Sequence, residues 1–178
     1  VNFEIIDTPR IRLRKITPEV YNFIFSDYNN EELKKFLGFA EDEQVEKERE
    51  KHKKGLSTYN RSFLYFQLLR EDKVIGTAGF HTWYFDHARA EIFYVLRDDA
   101  HKRQGIMREL MPVLLNYGFN AMNLHRIEAM TAAYNIPSIR LLQKAGFRQE
   151  GHLREHYLVD GKMEDSLIFS LLKSEFIQ

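Results

Sequence analysis

The sequence predicts an α/β (α+β) fold, a mixed and mostly antiparallel central sheet of about seven strands with helices on both faces. Two observations carry this. Apolar runs rich in Phe, Tyr, Ile and Val alternate along the chain with segments of helical period bounded by capping residues. Three of those runs, between residues 63 and 96, follow one another across short links, whereas the later ones are separated by helices. Hairpin neighbours and longer crossovers therefore occur in one chain. With 178 residues and no repeat, Gly/Ser linker or low-complexity stretch, the expectation is a single domain spanning 1–178.

Taken in order, residues 5–16 show a broken alternation (Ile11 and Leu13 apolar; Arg10, Arg12 and Arg14 polar) and read as a first strand. Thr17-Pro18-Glu19 then supplies an N-cap, a proline at the first helical position and an acid in the first turn of a helix through Val20, Tyr21, Ile24 and Phe25. A second short helix covers 30–39. From 41 to 54 the charges are sorted: Glu41, Asp42 and Glu43 lead, and Lys51, His52, Lys53 and Lys54 close before Gly55. That order complements a helix dipole, with Glu43/Lys47 and Glu50/Lys54 at i,i+4 spacing. A solvated surface helix explains it, and a partner-binding helix is the alternative. Strands follow at 63–69, 74–84 and 90–96, then a helix from 106 to about 122, a strand at 126–131, a helix at 136–144, and two long strands at 147–159 and 162–172. Asp160-Gly161 forms the last hairpin turn.

Composition narrows function. The 26 Lys+Arg balance 26 Asp+Glu, which argues against nucleic-acid binding and against a polybasic membrane anchor. Cysteine is absent, so disulfides, thiolate metal sites and a Cys nucleophile are excluded. His152 and His156 at i,i+4 on a strand make a poor chelate, and no metal is expected. No apolar run approaches the roughly 20 residues a bilayer span needs, and the start lacks a signal-peptide layout, so a cytoplasmic protein is the expectation.

Two segments carry chemistry. In Leu96-Arg97-Asp98-Asp99-Ala100-His101-Lys102-Arg103-Gln104-Gly105-Ile106-Met107-Arg108 a strand ends and a basic loop enters a helix at Gly105. A helix start presents unpaired N–H groups and suits an anion; Lys102, Arg103 and Arg108 add charge, and Gly105 allows close backbone approach. In 133–147, Asn135 is a plausible N-cap, Pro137 suits the first turn and Gly146 a C-terminal stop, so a well-capped helix already explains the local pattern. Pro112, inside the preceding helix, removes one backbone hydrogen bond and predicts a kink.

Together these segments resemble the GNAT superfamily of N-acetyltransferases. The family's phosphate loop, Gln/Arg-x-x-Gly-x-Gly/Ala, lies over Lys102-Arg103-Gln104-Gly105-Ile106-Met107, and Asn135-x-x-Ser138 with Lys144-x-Gly146-Phe147 looks like its second motif. Phe147 to Leu153, Arg12-Leu13-Arg14 and Asp160 to Ser166 are similar to the Rim-type branch, which acetylates ribosomal-protein N-termini. The resemblance spans nearly the whole chain and implies the GNAT (acyl-CoA N-acyltransferase) fold, with acetyl-CoA as co-substrate and an amine as acceptor. There are departures: Lys102 for Gln/Arg, Met107 for a small residue, Arg103 where the branch usually has Gly, and Phe93 where Gly is common. The general-acid Tyr of many relatives would fall at Leu142, which has no proton to give.

The resemblance further implies a gap between the strands Ile92–Leu96 and Ile127–Thr131. Pantetheine would pair with the backbone near Tyr94, Val95 and Leu96, and pyrophosphate would meet the N–H groups from Gln104 through Ile106 and Met107 to Arg108. Asn135, Ser138 and Lys144 would complete the cofactor contacts, and one N–H of the strand could stabilise an oxyanion. Attack needs a neutral amine, and an α-amine, with pKa about 8, needs less help than a lysine at about 10.4. Glu91 is the candidate base, a solvent-facing strand carboxylate being the alternative. Ser138 is the candidate donor to the leaving sulfur, against simple first-turn capping, and Tyr157 would be a stronger acid. Phe80, Trp83, Tyr84 and Phe93 are expected in the acceptor pocket wall or the core. Three functions stay open: protein N-terminal acetylation, acetylation of a small amine (polyamine, amino sugar or antibiotic), and non-catalytic acyl-CoA binding. Neither membrane nor nucleic acid is an expected partner, and a homodimer is frequent in this branch.

Overall fold

A computed structural model describes residues 3–53 and 63–176. Eight strands form one mixed sheet: β1 (Ile5–Asp7), β2 (Arg12–Ile16), β3 (Leu64–Arg70), β4 (Lys73–Tyr84), β5 (Arg89–Leu96), β6 (Arg126–Ala132), β7 (Arg148–Val159) and β8 (Lys162–Leu172). Their order is β1-β2-β3-β4-β5-β6-β8-β7. Pairing is antiparallel from β1 to β4 and among β6, β8 and β7, and parallel between β5 and β6. The helices are α1 (Pro18–Asp27), α2 (Asn30–Leu37), α3 (Asp42–Lys53), α4 (Ile106–Asn116) and α5 (Ile136–Lys144). The mixed, mostly antiparallel sheet expected from the sequence is present, with one strand more than the seven read.

The extra strand comes from the first run. Thr8 breaks it: its N–H and hydroxyl both donate to the Ile11 carbonyl, closing a turn that folds β2 back on β1. Capping fixes the helix starts, at Thr17 as read and at Asn29 by a box the sequence reading did not name. Thr17 accepts from the Val20 N–H, and Asn29 with Glu32 forms a reciprocal capping box ahead of α2. Glu43 and Lys47 form the i,i+4 pair, while Glu50 bonds Lys53; Lys54 and Gly55 lie outside the described residues. The helix read to about 122 stays regular only to Asn116, and a π-type turn, Tyr117–Ala121, finishes it.

The described residues fall into two compact units, Val1–Thr82 with Phe93–Ile106, and Trp83–Ile92 with Met107–Gln178. In the first, α1, α2 and α3 bury Tyr21, Ile24, Phe25, Leu33, Phe36, Leu37 and Val45 in one cluster with Ile16 and Phe63. Arg14 enters that cluster as a cation over the Phe36 ring, 3.9 Å from its centroid, and its Nε donates to Gln67. In the second unit, α4, α5 and the strands bury Leu110, Leu114, Phe119, Ile127, Leu142 and Phe169. Leu142 is therefore a core residue.

Gly79 is a packing requirement of the first unit: a Cβ there would fall inside contact distance of the backbone at Leu64 and Tyr65. Gly79→Ala is expected to lower stability by roughly 1–3 kcal/mol, the usual cost of overpacking, read as a lower denaturation midpoint at unchanged slope. An unchanged midpoint would show that β3 and β4 separate freely.

Candidate active site

The first unit holds the basic loop. Residues 97–105 leave β5, make a short turn at Asp99–His101 and enter α4 at Ile106. Gly105 has φ +75° and Arg103 φ +60°. The position where the Rim-type pattern usually carries Gly thus has a left-handed backbone, which Arg103 adopts with some strain. A Cβ at Gly105 would meet only Arg10 Nη2, at 3.8 Å, so backbone angle rather than crowding selects glycine there.

Two arginines that the sequence did not flag hold the loop. Arg10 Nη1 donates to the Gln104 carbonyl at 3.0 Å, and Arg70 Nη1 to Gln104 Oε1 at 2.8 Å. The Gln104 amide in turn donates to the Ala100 carbonyl. Lys102 is spent on Asp99 at 2.7 Å, a bond that holds the Asp99 carboxyl below its ordinary range. Exposed N–H groups at a helix entry, ringed by arginines, suit a phosphate.

The same unit contains an aromatic pocket of about 630 Å³, walled by Leu37, Phe39, Phe63 and Phe93, with Tyr21, Glu48, Lys51, Tyr65, Gln67, Thr77, His81 and Arg97 on its lining. Of the four residues expected in such a wall, Phe93 is there; Phe80 is fully buried in the core instead. Trp83 and Tyr84 belong to the second unit, where Trp83 packs on Phe85 at 4.2 Å and Tyr84 lies under the Arg89 guanidinium.

The polar groups of the pocket are sorted. Gln67 is satisfied by protein, accepting from Arg14 and donating to the Phe36 carbonyl. Glu48 accepts from the Tyr21 hydroxyl at 2.6 Å and from Lys51 Nζ at 2.8 Å. Burial, then the bond to Glu48, raises the Tyr21 pKa. Tyr65 is raised by burial, then by Glu48, with Arg97 pulling the other way, so its phenol feels both charges. It has no hydrogen-bond partner among the described residues. Arg97 donates to the Gly38 carbonyl and lies 5.2 Å from the Phe39 ring centroid. Although partly solvent-facing, its guanidinium loses enough hydration to lower its pKa. Desolvation lowers His81 below its ordinary value too, leaving the ring neutral at pH 7.

In the second unit β5 and β6 pair in parallel at Arg89↔Arg126, Ala90↔Ile127 and Glu91↔Glu128. Glu91 is 9% exposed, and burial, then the facing Glu128, raises its carboxyl to about 7. Glu128 accepts from Arg89 at 2.7 Å and from Arg126 at 2.8 Å. Asn135 caps α5 by accepting from the Ser138 N–H at 3.3 Å, and Ser138 is exposed. Arg108 and Lys144 line one cavity of about 610 Å³ with Met111, Pro112, Leu115 and Leu141. Tyr157 is 50% exposed on β7, its ring against His156. His152 bonds Asp165 at 2.7 Å, and among the described residues no group of three metal-ligating side chains occurs.

A mixed sheet whose fifth strand leads through a basic loop into a glycine-entered helix, with an aromatic pocket lined by Phe93 of that strand, is the arrangement the family comparison then identifies. The model of the acetyltransferase (GNAT) domain matches residues 10–148, so the chain belongs to the GNAT acetyltransferase family, and its reaction is N-acetyl transfer. It is 33% identical over 174 residues to the uncharacterized N-acetyltransferase YoaA of Bacillus subtilis, covering 96% of this chain and 98% of that one. A spermidine N(1)-acetyltransferase of Vibrio cholerae is 32% identical over 91 residues, 51% of this chain and 52% of that one. A crystal structure of spermidine N-acetyltransferase from Vibrio cholerae in complex with CoA and spermine shares the fold at TM-score 0.69 and 23% identity, covering 96% of this chain and 100% of that one.

The raised Glu91 has a consequence for stability. Its folded value exceeds the ordinary 4.5, so the fold bears no penalty below pH 4.5, an increasing one from there to about 7, and a constant one above. Glu128→Gln is expected to lower the Glu91 midpoint while leaving it above 4.5, because burial is the larger cause. Carbon-detected NMR titration of the Glu91 carboxyl checks this. A native midpoint near 4.5 in the parent protein would show the site to be wet.

Proposed function

We propose that the protein transfers the acetyl group of acetyl-CoA to a primary α-amine seated in the aromatic pocket of the first unit, a protein N-terminus being the first class of acceptor to test. The observation that carries this is that pocket, which opens on Arg97, the residue at which the basic loop begins. Acetyl-CoA supplies an activated acetyl thioester. The Gln104 to Arg108 backbone, with Arg10 and Arg70 fixing Gln104, is the proposed phosphate cradle, and Gly105 keeps its exposed side open. Tyr94, Val95 and Leu96 are assigned to the pantetheine arm, and Asn135, Ser138 and Lys144 to further contacts.

Glu91 is the proposed base. With a carboxyl raised to about 7, it is ionised often enough at neutral pH to take a proton from the attacking amine, directly or through water, and basic enough to hold it. As the nitrogen bonds to the acetyl carbon and the carbon–sulfur bond breaks, Ser138 is the proposed donor to the departing thiolate; Tyr157 is the alternative donor. The polyamine reading rests on the relatives named as spermidine acetyltransferases. Against it stands the pocket lining, where among the described residues one carboxylate, Glu48, accompanies Lys51 and Arg97.

Thiol release from acetyl-CoA, followed with peptide and amine panels, tests the reading; tight CoA binding without turnover on any amine would favour a non-catalytic binding module. In the active protein kcat/KM is expected to rise with pH through about 7 as Glu91 ionises. Glu91→Gln should remove that limb and lower kcat by about 10²–10⁴-fold. A retained limb would take Glu91 out of the mechanism. Gly105→Asp is expected to abolish CoA binding, by like charge against phosphate and by strain at φ +75°. Retained CoA affinity, measured calorimetrically, would mean that the phosphates lie elsewhere.

A further inference from the structure

The aromatic pocket carries information about the acceptor beyond its being an amine. Glu48 and Arg97 both line it and do not pair with each other: among the described residues Glu48 pairs with Tyr21 and with Lys51, a second lining cation, and Arg97 with the Gly38 carbonyl and the Phe39 ring. Glu48, Arg97 and Tyr65 all line this one pocket, both charges act on the Tyr65 phenol, and the Tyr65 hydroxyl has no hydrogen-bond partner among the described residues. Among the described lining residues Lys51 and Arg97 outnumber Glu48, and His81 is neutral at pH 7. A polycation would meet a net positive wall. An amine that also carries an anion would find a partner for each charge, and its apolar body would lie against Phe39, Phe63 and Phe93.

We propose that the acceptor carries a carboxylate close to its amine, that Arg97 binds this carboxylate, and that Glu48 with Tyr65 orients the amine end. This rests on the acetyl-transfer reading above. The carboxylate has two sources, the α-carboxylate of a free amino acid with an aromatic or apolar side chain, or an acidic side chain just after the amine of a peptide N-terminus. Arg97 keeps guanidinium N–H groups beyond the one given to Gly38, enough for a forked bond to either.

Two measurements separate this inference from the reading it deepens. Calorimetric binding to the CoA-loaded protein compares phenylalanine with phenylalaninamide, and Ala-Asp-Phe-amide with Ala-Asn-Phe-amide; thiol release is followed on the same four compounds and on spermidine. One carboxylate-bearing member is expected to bind at least about tenfold tighter than its neutral partner, the usual worth of a well-made charged contact. The pair that shows the difference names the source. Arg97→Gln should collapse that ratio towards one, and Arg97→Lys should restore part of it, with melting curves checking that both variants fold. Equal binding within both pairs, or spermidine binding tighter than either acid, overturns the carboxylate assignment whatever the turnover. Discriminating binding with no thiol release on any compound supports the carboxylate assignment and overturns the reading of this pocket as the acetyl-acceptor site instead.

Discussion

The parallel register of β5 on β6 sets the charge arrangement on which the second unit's site depends. It sets Glu91 opposite Glu128, two carboxylates on neighbouring strands, an arrangement that is costly unless one charge is neutralised. The chain resolves this unequally. Glu128 is given Arg89 from β5 and Arg126 from its own strand; Arg126 reaches on in a two-pronged bond to Glu150 on β7, which also accepts from Ser170 on β8. Charge-assisted bonds thus tie four strands across the β6 entrance. Glu150, gripped first by Arg126 and then by Ser170, is held down to about 2, while Glu91, buried and facing Glu128, is pushed up to about 7. One network therefore bridges four strands and leaves Glu91, of these three carboxyls, with the value raised towards neutrality.

The first unit solves a different problem, that of keeping charged groups inside an aromatic wall without collapse. Arg14 sits on the Phe36 ring and bonds Gln67 and the Phe36 carbonyl, and both ends of the Gln67 amide are held by protein partners. Tyr21 and Lys51 fix Glu48, and Gly38, left-handed at the end of α2, turns its carbonyl to Arg97. What remains open to the pocket is a short set of groups on rigid helices and strands.

Much of the fold was legible because its signals are local. Thr17-Pro18 and Asn135-Ile136-Pro137 mark helix starts whatever lies around them, and Asp160-Gly161 marks a turn. The split of residues 5–16 depends on one Thr8 hydroxyl reaching Ile11, and the irregular step in β7 between Leu153 and Tyr157 on a left-handed Glu155; neither has a clear pattern in the sequence. The loop at Gly105 was readable because a helix entry rich in cations and glycine suits an anion wherever it occurs. Its supports were not, since Arg10 and Arg70 come from 94 and 34 positions away. Tyr21, Glu48 and Tyr65 look like ordinary members of amphipathic helices and strands, and only the packing of α1, α3 and β3 collects them. The Phe80–Phe85 stretch illustrates the reverse error: aromatic density alone does not say which ring faces a cavity, and Phe80 faces the core.

The charge arrangement of the pocket also bears on how an amine becomes reactive. An α-amine near pH 7 is mostly ammonium, and taking its proton with a carboxyl of about 7 costs about one pKa unit, roughly 1.4 kcal/mol; from a lysine near 10.4 it costs about three and a half, nearly 5 kcal/mol. The base proposed here is therefore matched to α-amines. A neighbouring carboxylate on the acceptor would hold its ammonium charged, and a cation paired with that carboxylate undoes the effect. Arg97 in the proposed role both recognises the acceptor and releases its nitrogen, and Lys51 on Glu48 weakens the remaining anion that would keep the proton in place. Selection against polycations and promotion of the neutral amine then follow from the same excess of positive charge around an aromatic wall.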